Sequence, residues 1–352
     1  MVWAQIFKIL AKIFAIFVFN YYNCNWYKGK FYSYQKGKGL SVTMFKHYSV
    51  LKKESIDGLN LKPDGVYVDC TTGGGGHSYE IAKQLTTGTL ICIDKDKDAL
   101  VAAHERLIAF EDKIRFIQAD FFNLKDVLYS LSIDQVDGII ADLGVSSYQI
   151  DTAERGFSYM NDGPLDMRMN QDDDSLTAYD VVNKYDEADL KRILFNYGEE
   201  RNTNLIVKRI IEHRQVKPIE TTFELKDIIT SCYPAGLRHK PAIANKVFQA
   251  IRIEVNGEIS GLEQAIDDMV SVLKPAGRIS IITFHTLEDR AVKNVFKLHS
   301  TNCICPPQFP VCVCHHKADL KLINKKPIIP NENELSENSR SASAKLRIAE
   351  KL

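Results

Sequence analysis

The chain has 352 residues, 45% of them hydrophobic and 26% charged, with 45 basic and 45 acidic side chains. That apolar share belongs to a globular protein and excludes disordered, collagenous and low-complexity classes. Balanced charge excludes indiscriminate coating of nucleic acid, which needs a surplus of Lys and Arg, but leaves room for one basic face. The sum hides two opposed patches: residues 151–200 hold 13 acidic and 5 basic side chains, and residues 201–252 hold 10 basic and 4 acidic.

Residues 1–43 form an apolar extension unlike the rest. Val2 to Phe19 carries only Lys8 and Lys12 as charges, with Ile6, Leu10, Ile13 and Phe17 at helical spacing. The stretch is about long enough to span a membrane but is twice interrupted, and it lacks the small-residue cleavage site of a signal peptide. Three readings stand: extra translated sequence ahead of a start at Met44, an interfacial anchor, or a span. The first fits best. After Met44 no apolar run reaches a spanning length.

From residue 64 short β-branched runs alternate with helical stretches. Strands are expected at Val66–Asp69, Thr89–Asp94, Ile114–Asp120 and Val136–Asp142, each closing on an acid. Helices are expected at His77–Leu85 and from about Lys97 to Phe110. This alternation means a parallel sheet with right-handed crossovers. It then stops for about a hundred residues, where Glu187–Tyr197, Asn204–Arg214 and Phe223–Cys232 read as helices. The sheet pattern resumes with a helix near Ile259–Leu273, a turn at Lys274–Gly277 and a strand at Arg278–Phe284. Two late runs, Leu320–Ile323 and Ala344–Ile348, are expected to close an antiparallel edge. The fold class is therefore α/β, a doubly wound, mostly parallel sheet interrupted by an inserted helical domain. The expected divisions are 44–150 and 251–352 for the two parts of the sheet domain and 151–250 for the insertion. No internal repeat is visible.

Asp69 through Gly76 carries the first chemical signal. Glycines between a strand and a helix let backbone approach a ligand closely. Asp94, 21 residues after Gly73, is placed to accept hydrogen bonds from ribose hydroxyls. This much fits a dinucleotide as well as S-adenosylmethionine. Ser78, however, stands where the third glycine of a dinucleotide fingerprint belongs. Four strands ending in Asp69, Asp94, Asp120 and Asp142 suit a sulfonium cation better than a pyrophosphate.

Eight cysteines fall unevenly. Cys24, Cys70, Cys92 and Cys232 are dispersed and read as free thiols. Cys303-Ile-Cys305 and Cys312-Val-Cys314 flank a proline-stiffened loop, with His315 and His316 following. Such pairs suit a thiolate zinc site, although the spacing is C-x-C rather than C-x-x-C. Zinc on Cys303, Cys305, Cys312 and Cys314, reduced loop thiols, and a disulfide remain three open readings.

Longer segments are far more specific. Asp142-Leu-Gly-Val-Ser-Ser-Tyr-Gln149 leads into Asp151–Phe157 and Gly163–Met169. Later come Phe248-Gln-Ala-Ile-Arg-Ile-Glu-Val-Asn256 and Thr283-Phe-His-Thr-Leu-Glu-Asp-Arg290. With His47–Leu51, Asp69–Ser78 and Ser343–Arg347, these resemble the bacterial 16S rRNA (cytosine-N4) methyltransferases, in collinear order from about His47 to the C-terminus. The resemblance implies a Rossmann-like class I methyltransferase that uses S-adenosylmethionine to methylate the N4 amine of cytidine 1402 in the decoding centre. It further implies a cytoplasmic enzyme whose partner is 16S rRNA within the small ribosomal subunit or its late precursor, with no DNA partner and no membrane for the core domain.

By position in the motifs, the family's cofactor contacts fall on Gly75, Gly76, His77, Asp94, Phe121, Asp142 and Gln149. Phe121 becomes an adenine-face contact and Asp120 only its neighbour. Ser49 and Tyr148 depart from family prolines, Thr286 from a serine, and Ser339 and Ala342 from a proline and an arginine. The catalytic candidates are Asp142, Tyr148 and His285: Asp142 to accept from the amine or only to bind cofactor, Tyr148 to stack on the base, and His285 to touch substrate or to serve structure. Arg155, Arg168 and Arg252 stand equally for loop anchors or RNA contacts, and Asp172, Asp173 and Asp174 for a solvated loop. Arg201, Lys208, Arg209, Arg214, Lys217, Arg238 and Lys240 are the candidate phosphate contacts of the basic stretch.

Overall fold

The computed structural model describes residues 49–238, 243–306, 308–309 and 311–352. The apolar extension, Met44, the His47-Tyr48 pair, Lys240, Pro307 and Pro310 lie outside the described residues. His47–Leu352 forms one compact unit.

The chain enters through helix α1 (Lys52–Leu59), then alternates β1 (Val66–Asp69), α2 (Gly76–Gln84), β2 (Thr89–Asp94), α3 (Lys97–Leu107), β3 (Ile114–Gln118), α4 (Leu124–Ser130) and β4 (Val136–Asp142). A short helix α5 (Ser147–Asp151) leads into a helical stretch of α6 (Ala178–Lys184), α7 (Glu187–Asn196), α8 (Thr203–Arg214), α9 (Thr222–Ser231) and α10 (Asn245–Asn256). The sheet resumes with α11 (Leu262–Ser271), β5 (Leu273–Thr283), α12 (Thr286–His299), β6 (Leu320–Leu322), α13 (Glu332–Glu337) and β7 (Lys345–Lys351).

The seven strands lie in the order β3-β2-β1-β4-β5-β7-β6. The first five are parallel, and β7 pairs antiparallel with both β5 and β6. The doubly wound sheet and its antiparallel edge are thus as the sequence implies. One strand differs. β5 begins at Leu273 rather than Arg278, because Leu273 pairs with Val136 and Arg278 with Gly138. Lys274–Gly277 is looped out as a bulge, with Ala276 at φ 62°. A bulge adds residues without ending the strand, so Pro and Gly there look like a turn in sequence.

Strand residues alternate between two cores. Val68, Ile91, Ile93, Ile139 and Ile281 pack with α4, α11 and α12, while Tyr67, Leu90, Cys92 and Ile140 pack with α1, α2 and α3. Burial on both faces is why these strands read as near-continuous apolar runs. A separate core has its buried members within residues 157–251, among them Met167, Val181, Ile193, Ile206, Leu225 and Phe248, with Val145 and Val255 packed against it. The boundary expected at residue 250 falls inside α10, whose Val247, Phe248 and Ile251 belong to that core.

Candidate active site

The sheet reverses its winding between β1 and β4, and the loops leaving these strands part there, the place where open α/β sheets form ligand crevices. A cavity of about 670 Å³ lies at this point. Its floor is the loop Asp69–Gly76. Gly73 and Gly75 have φ of 51° and 74°, left-handed backbone that favours glycine, and a Cβ on Gly76 would stand 1.8 Å from the Ser49 hydroxyl, which would have to turn aside. The loop is laced to its neighbours. Gly73 N–H donates to Asp94 Oδ2 at 2.7 Å, Thr72 Oγ1 donates to Ile93 O at 3.0 Å, and Asp142 N–H donates to Thr71 Oγ1 at 2.6 Å.

Ser78, the departure from the dinucleotide pattern, donates its hydroxyl to the buried Asp69 at 2.6 Å. Burial pushes Asp69 up to about 6, with Ser78 and the Thr71 N–H acting against the rise. Asp94 accepts from the Gly73 and Asp96 N–H groups, yet burial still pushes it up to about 7. Asp142 is raised well above the carboxylate range, first by burial and then by Asp69, Glu288 and Glu334. Its Oδ1 is buried without a hydrogen-bond partner. His77 donates from Nε2 to Val50 O at 3.1 Å, and burial lowers it to about 4. Its Nδ1, left with a lone pair, faces Asp142 Oδ2 at 3.8 Å.

Across the cavity α10 presents Asn245, Phe248, Gln249, Arg252 and Asn256, the three- and four-residue spacing of one helix face. α12 begins here with His285 as its N-cap and Glu288 at the third position, a reciprocal capping box. Glu288 Oε2 accepts from the N–H groups of Phe284 and His285 at 2.8 and 3.2 Å. Burial works against its charge, but His285, the Phe284 N–H and Arg252 outweigh it and hold Glu288 below the usual range. His285 Nδ1 accepts from Glu288 N–H, which leaves the proton on Nε2. That Nε2 lies 3.1 Å from Glu288 Oε1 but out of line for a hydrogen bond, so it is a buried donor without an aligned acceptor.

Gly76, His77, Asp94, Phe121, Asp142, Gln149 and His285 all line the cavity. Three of the expected residues have placements that narrow their roles. Gly75 turns away and packs against Ala103. Gln149 directs its amide to Asp96 and the Ser146 N–H, so it braces the wall. Tyr148 is 51% exposed on α5 and is not among the lining residues, so its ring is not poised over the cavity. The arginines settle as anchors: Arg155 on Asp96 at 2.8 Å, Arg168 on Asp166 at 2.8 Å, and Arg252 on Glu258 at 2.8 Å. Asp172, Asp173 and Asp174 are exposed, as a solvated loop requires, with Asp172 meeting Lys97 at 3.2 Å and Asp173 accepting from Ser175 N–H.

Sequence reasoning missed Glu288, although a histidine followed three residues later by Glu just after a strand was its signal. It also missed Asn338, Arg340 and Ser343, which reach the cavity from the C-terminal segment, with Arg340 forked onto Asp151. Every cation on the rim is neutralised, Lys95 by Asp120, Arg252 by Glu258 and Arg340 by Asp151. Among the described residues no Lys or Arg pairs with Asp94 or Asp142, and the neutral His77 stands 3.8 Å from Asp142. This rim repels a pyrophosphate and favours a cation.

Cys303, Cys305, Cys312 and Cys314 converge in the loop after α12, and none lines the cavity. Of the basic candidates, Arg214 donates to the carbonyls of Val182 and Tyr185 and Arg238 to those of Tyr233 and Ser231. Lys217 pairs with Glu224, and Arg209 and Lys208 with Glu212. No helix among the described residues is long and apolar enough to cross a membrane.

Comparison with known proteins gives a family. "Ribosomal RNA small subunit methyltransferase H" of Finegoldia magna is 52% identical over 310 residues, covering 88% of this chain and 99% of its own. The protein of that name from Clostridium botulinum strain Kyoto is 55% identical over 309 residues, with the same coverage. An rRNA methylase structure from Streptococcus thermophilus is a distant likeness, 13% identical at TM-score 0.38 over 85% of this chain and 95% of its own. The family model of the MraW methylases matches residues 44–352, the whole stretch that builds the sheet, the glycine loop and the acid-rimmed cavity, and the chain belongs to that family.

Proposed function

We propose that this methyltransferase moves the methyl group of S-adenosylmethionine to the N4 amine of cytidine 1402 in 16S rRNA, acting on the small ribosomal subunit or its late precursor. The observation that carries the reading is the unpartnered Asp142 Oδ1, buried at the switch point of a cavity whose open carboxylates face no cation.

The residues fit the cofactor. Asp94 accepts ribose hydroxyls, Phe121 and Phe122 offer apolar faces to the adenine, and the α2 N-terminus with Gly76 and His77 backs the loop. When bound, S-adenosylmethionine supplies an electrophilic methyl on a positive sulfur. The amine of cytosine is a poor nucleophile because its lone pair is delocalised into the ring. Asp142 accepts one of its N–H bonds and draws the nitrogen towards tetrahedral. With the cofactor bound, Asp142 would take the proton that the amine gives up as its nitrogen is methylated, directly or through water. His285, with Nε2–H held by the capping box, donates to a ring acceptor of the base and fixes its pose. Holding both reactants in line contributes about 7–11 kcal/mol, and a preorganised acceptor about 3 kcal/mol more. The loop Phe157–Met160 and α10 wall the cavity on the side where a base that has left its stack would enter.

The test is tritiated methyl transfer from S-adenosylmethionine to small subunits of a strain lacking the enzyme, followed by mass spectrometry of the nucleosides. One N4-methylcytidine per particle is expected. A methyl group on another atom or base, or none, overturns the assignment.

A further inference from the structure

We propose that the loop between α12 and β6 is a structural zinc site, one Zn²⁺ held by the thiolates of Cys303, Cys305, Cys312 and Cys314. The four Sγ atoms all lie within 4.8 Å of one another. Cys303–Cys312 and Cys312–Cys314 are 3.5 Å apart and Cys303–Cys314 is 3.9 Å. Thiolates about 2.3 Å from a tetrahedral zinc stand about 3.8 Å from one another, so these spacings are those of a single-ion cage. A disulfide needs its sulfurs about 2.05 Å apart, and all four cysteines are free thiols. An iron–sulfur cluster binds its cysteines through several irons and spreads them wider.

The backbone supports the same reading. The middle residue of each C-x-C pair sends its N–H to the last cysteine of the other pair: Ile304 to Cys314 Sγ at 3.5 Å and Val313 to Cys305 Sγ at 3.4 Å. This reciprocal pattern stabilises two thiolates that four unbound thiols would not require. Apolar packing does little to hold the described part of the loop, because Ile304, Phe309, Val311 and Val313 are each more than half exposed. Burial there is too slight to order a structureless loop of this length. Its base is already fixed. His299 sits between Asp267 and Asp319, each at 2.7 Å, Lys351 reaches Asp319 at 2.8 Å, and His316 donates to Leu298 O at 2.9 Å. The ion secures the outer half. Four protein ligands leave no open position for water, and the site is away from the cavity, so the zinc braces structure and takes no part in methyl transfer.

Full-length protein purified without chelator or metal-binding tag should carry about one zinc per chain by plasma mass spectrometry, released by a mercurial reagent as the thiols are consumed. Cobalt added to the metal-free chain should give the intense thiolate-to-cobalt charge-transfer band of a tetrahedral tetrathiolate. Zinc removal should open residues 303–316 to protease while the remainder of the chain stays resistant. The double variant Cys303→Ser/Cys312→Ser should lose the metal and keep methyl transfer. If that variant does not fold, the cobalt titration of the unaltered chain decides. Well under one zinc per chain with no cobalt band overturns the proposal, and stoichiometric iron in place of zinc overturns the choice of metal.

Discussion

Asp142 Oδ2 stands 3.8 Å from His77 Nδ1, and no hydrogen bond joins them. His77 has given its proton to the bond with Val50 O, so its bare Nδ1 faces the Asp142 carboxyl across the floor of the cavity. Asp142 is left with an oxygen free for a donor from outside the fold. Replacing Asp142 by Asn keeps the size and loses the acceptor charge. Methyl transfer should fall by about 10²–10³-fold, with the dissociation constant for S-adenosylmethionine moved far less. Single-turnover rates and calorimetric titration separate the two effects. A large loss of cofactor affinity with the rate at saturation unchanged would make Asp142 a cofactor ligand only.

The buried carboxyls make cofactor binding pH-dependent. Asp94 lies near 7 and Asp142 well above the carboxylate range, both chiefly through burial. A cationic ligand favours their ionised forms, so binding should release protons. The dissociation constant should then rise as pH falls from 8 to 6, by at most about tenfold per pH step for each proton displaced. Titrations in buffers of different ionisation enthalpy measure that release. A constant affinity and no proton release would remove these carboxyls from the site.

The same shifts set ligand-free stability. Asp69 near 6 and Asp94 near 7 hold protons in the folded state that the unfolded chain has already lost. Their contribution therefore declines as pH rises from about 4 to 7. His77, lowered to about 4, works oppositely and is exhausted once pH passes the ordinary histidine value. Between about pH 6.5 and 7.5 only the decline remains. Thermal unfolding should shift down across that window without ligand and flatten with saturating cofactor. A rise across it would refute the assigned shifts.

Arg155 was open in sequence to either RNA contact or anchoring, and its place decides for the latter. It donates to Asp96 at 2.8 Å and to the carbonyls of Arg168 and Met169, with its side chain 4% exposed. Asp96 also accepts from Gln149, so one buried carboxylate joins α3, α5 and the acidic loop. Arg155→Ala strands that charge and should cost about 3–5 kcal/mol, lowering the unfolding midpoint by about 5–15 °C. An unchanged midpoint with weakened RNA binding would reverse the assignment.

The parallel strands were legible because each is a short apolar run that gives way to a helix, three of them (β1, β2 and β4) closing on an acid; burial on both faces writes that run into the residues themselves. Asp69, Asp94 and Asp142 could be placed for the same reason. Asp120 could not, since pairing with Lys95 is a tertiary contact. Arg340 and Ser343 sit on a polar turn without periodicity, and only the fold of the C-terminal segment brings them to the cavity. Tyr148 and Gln149 were assigned from their motif, but side-chain direction on α5 depends on the Ser146 cap.

The basic stretch of the helical segment is weaker as an RNA surface than its charge count suggests, because its other described cations already hold a carboxylate, a backbone carbonyl or an aromatic ring. Arg201 is the exception. It is exposed, makes no ion pair among the described residues, and lines a second hollow with Phe195, Leu287 and Arg290. Leu287 and Arg290 lie on the first turns of α12, which also carries His285 and Glu288 into the cofactor cavity. RNA seated on Arg201 would therefore pass beside the acceptor pocket. Arg201→Glu should weaken binding to small subunits by about 5–20-fold at moderate salt and make the salt dependence shallower. Lys217→Glu, which removes a cation already shared by Glu224 and Glu220, should change affinity by less than about twofold. Filter binding across a salt series measures both. Equal losses would mean that net charge alone steers the particle, and a larger loss at Lys217 would move the RNA to the far side of α9.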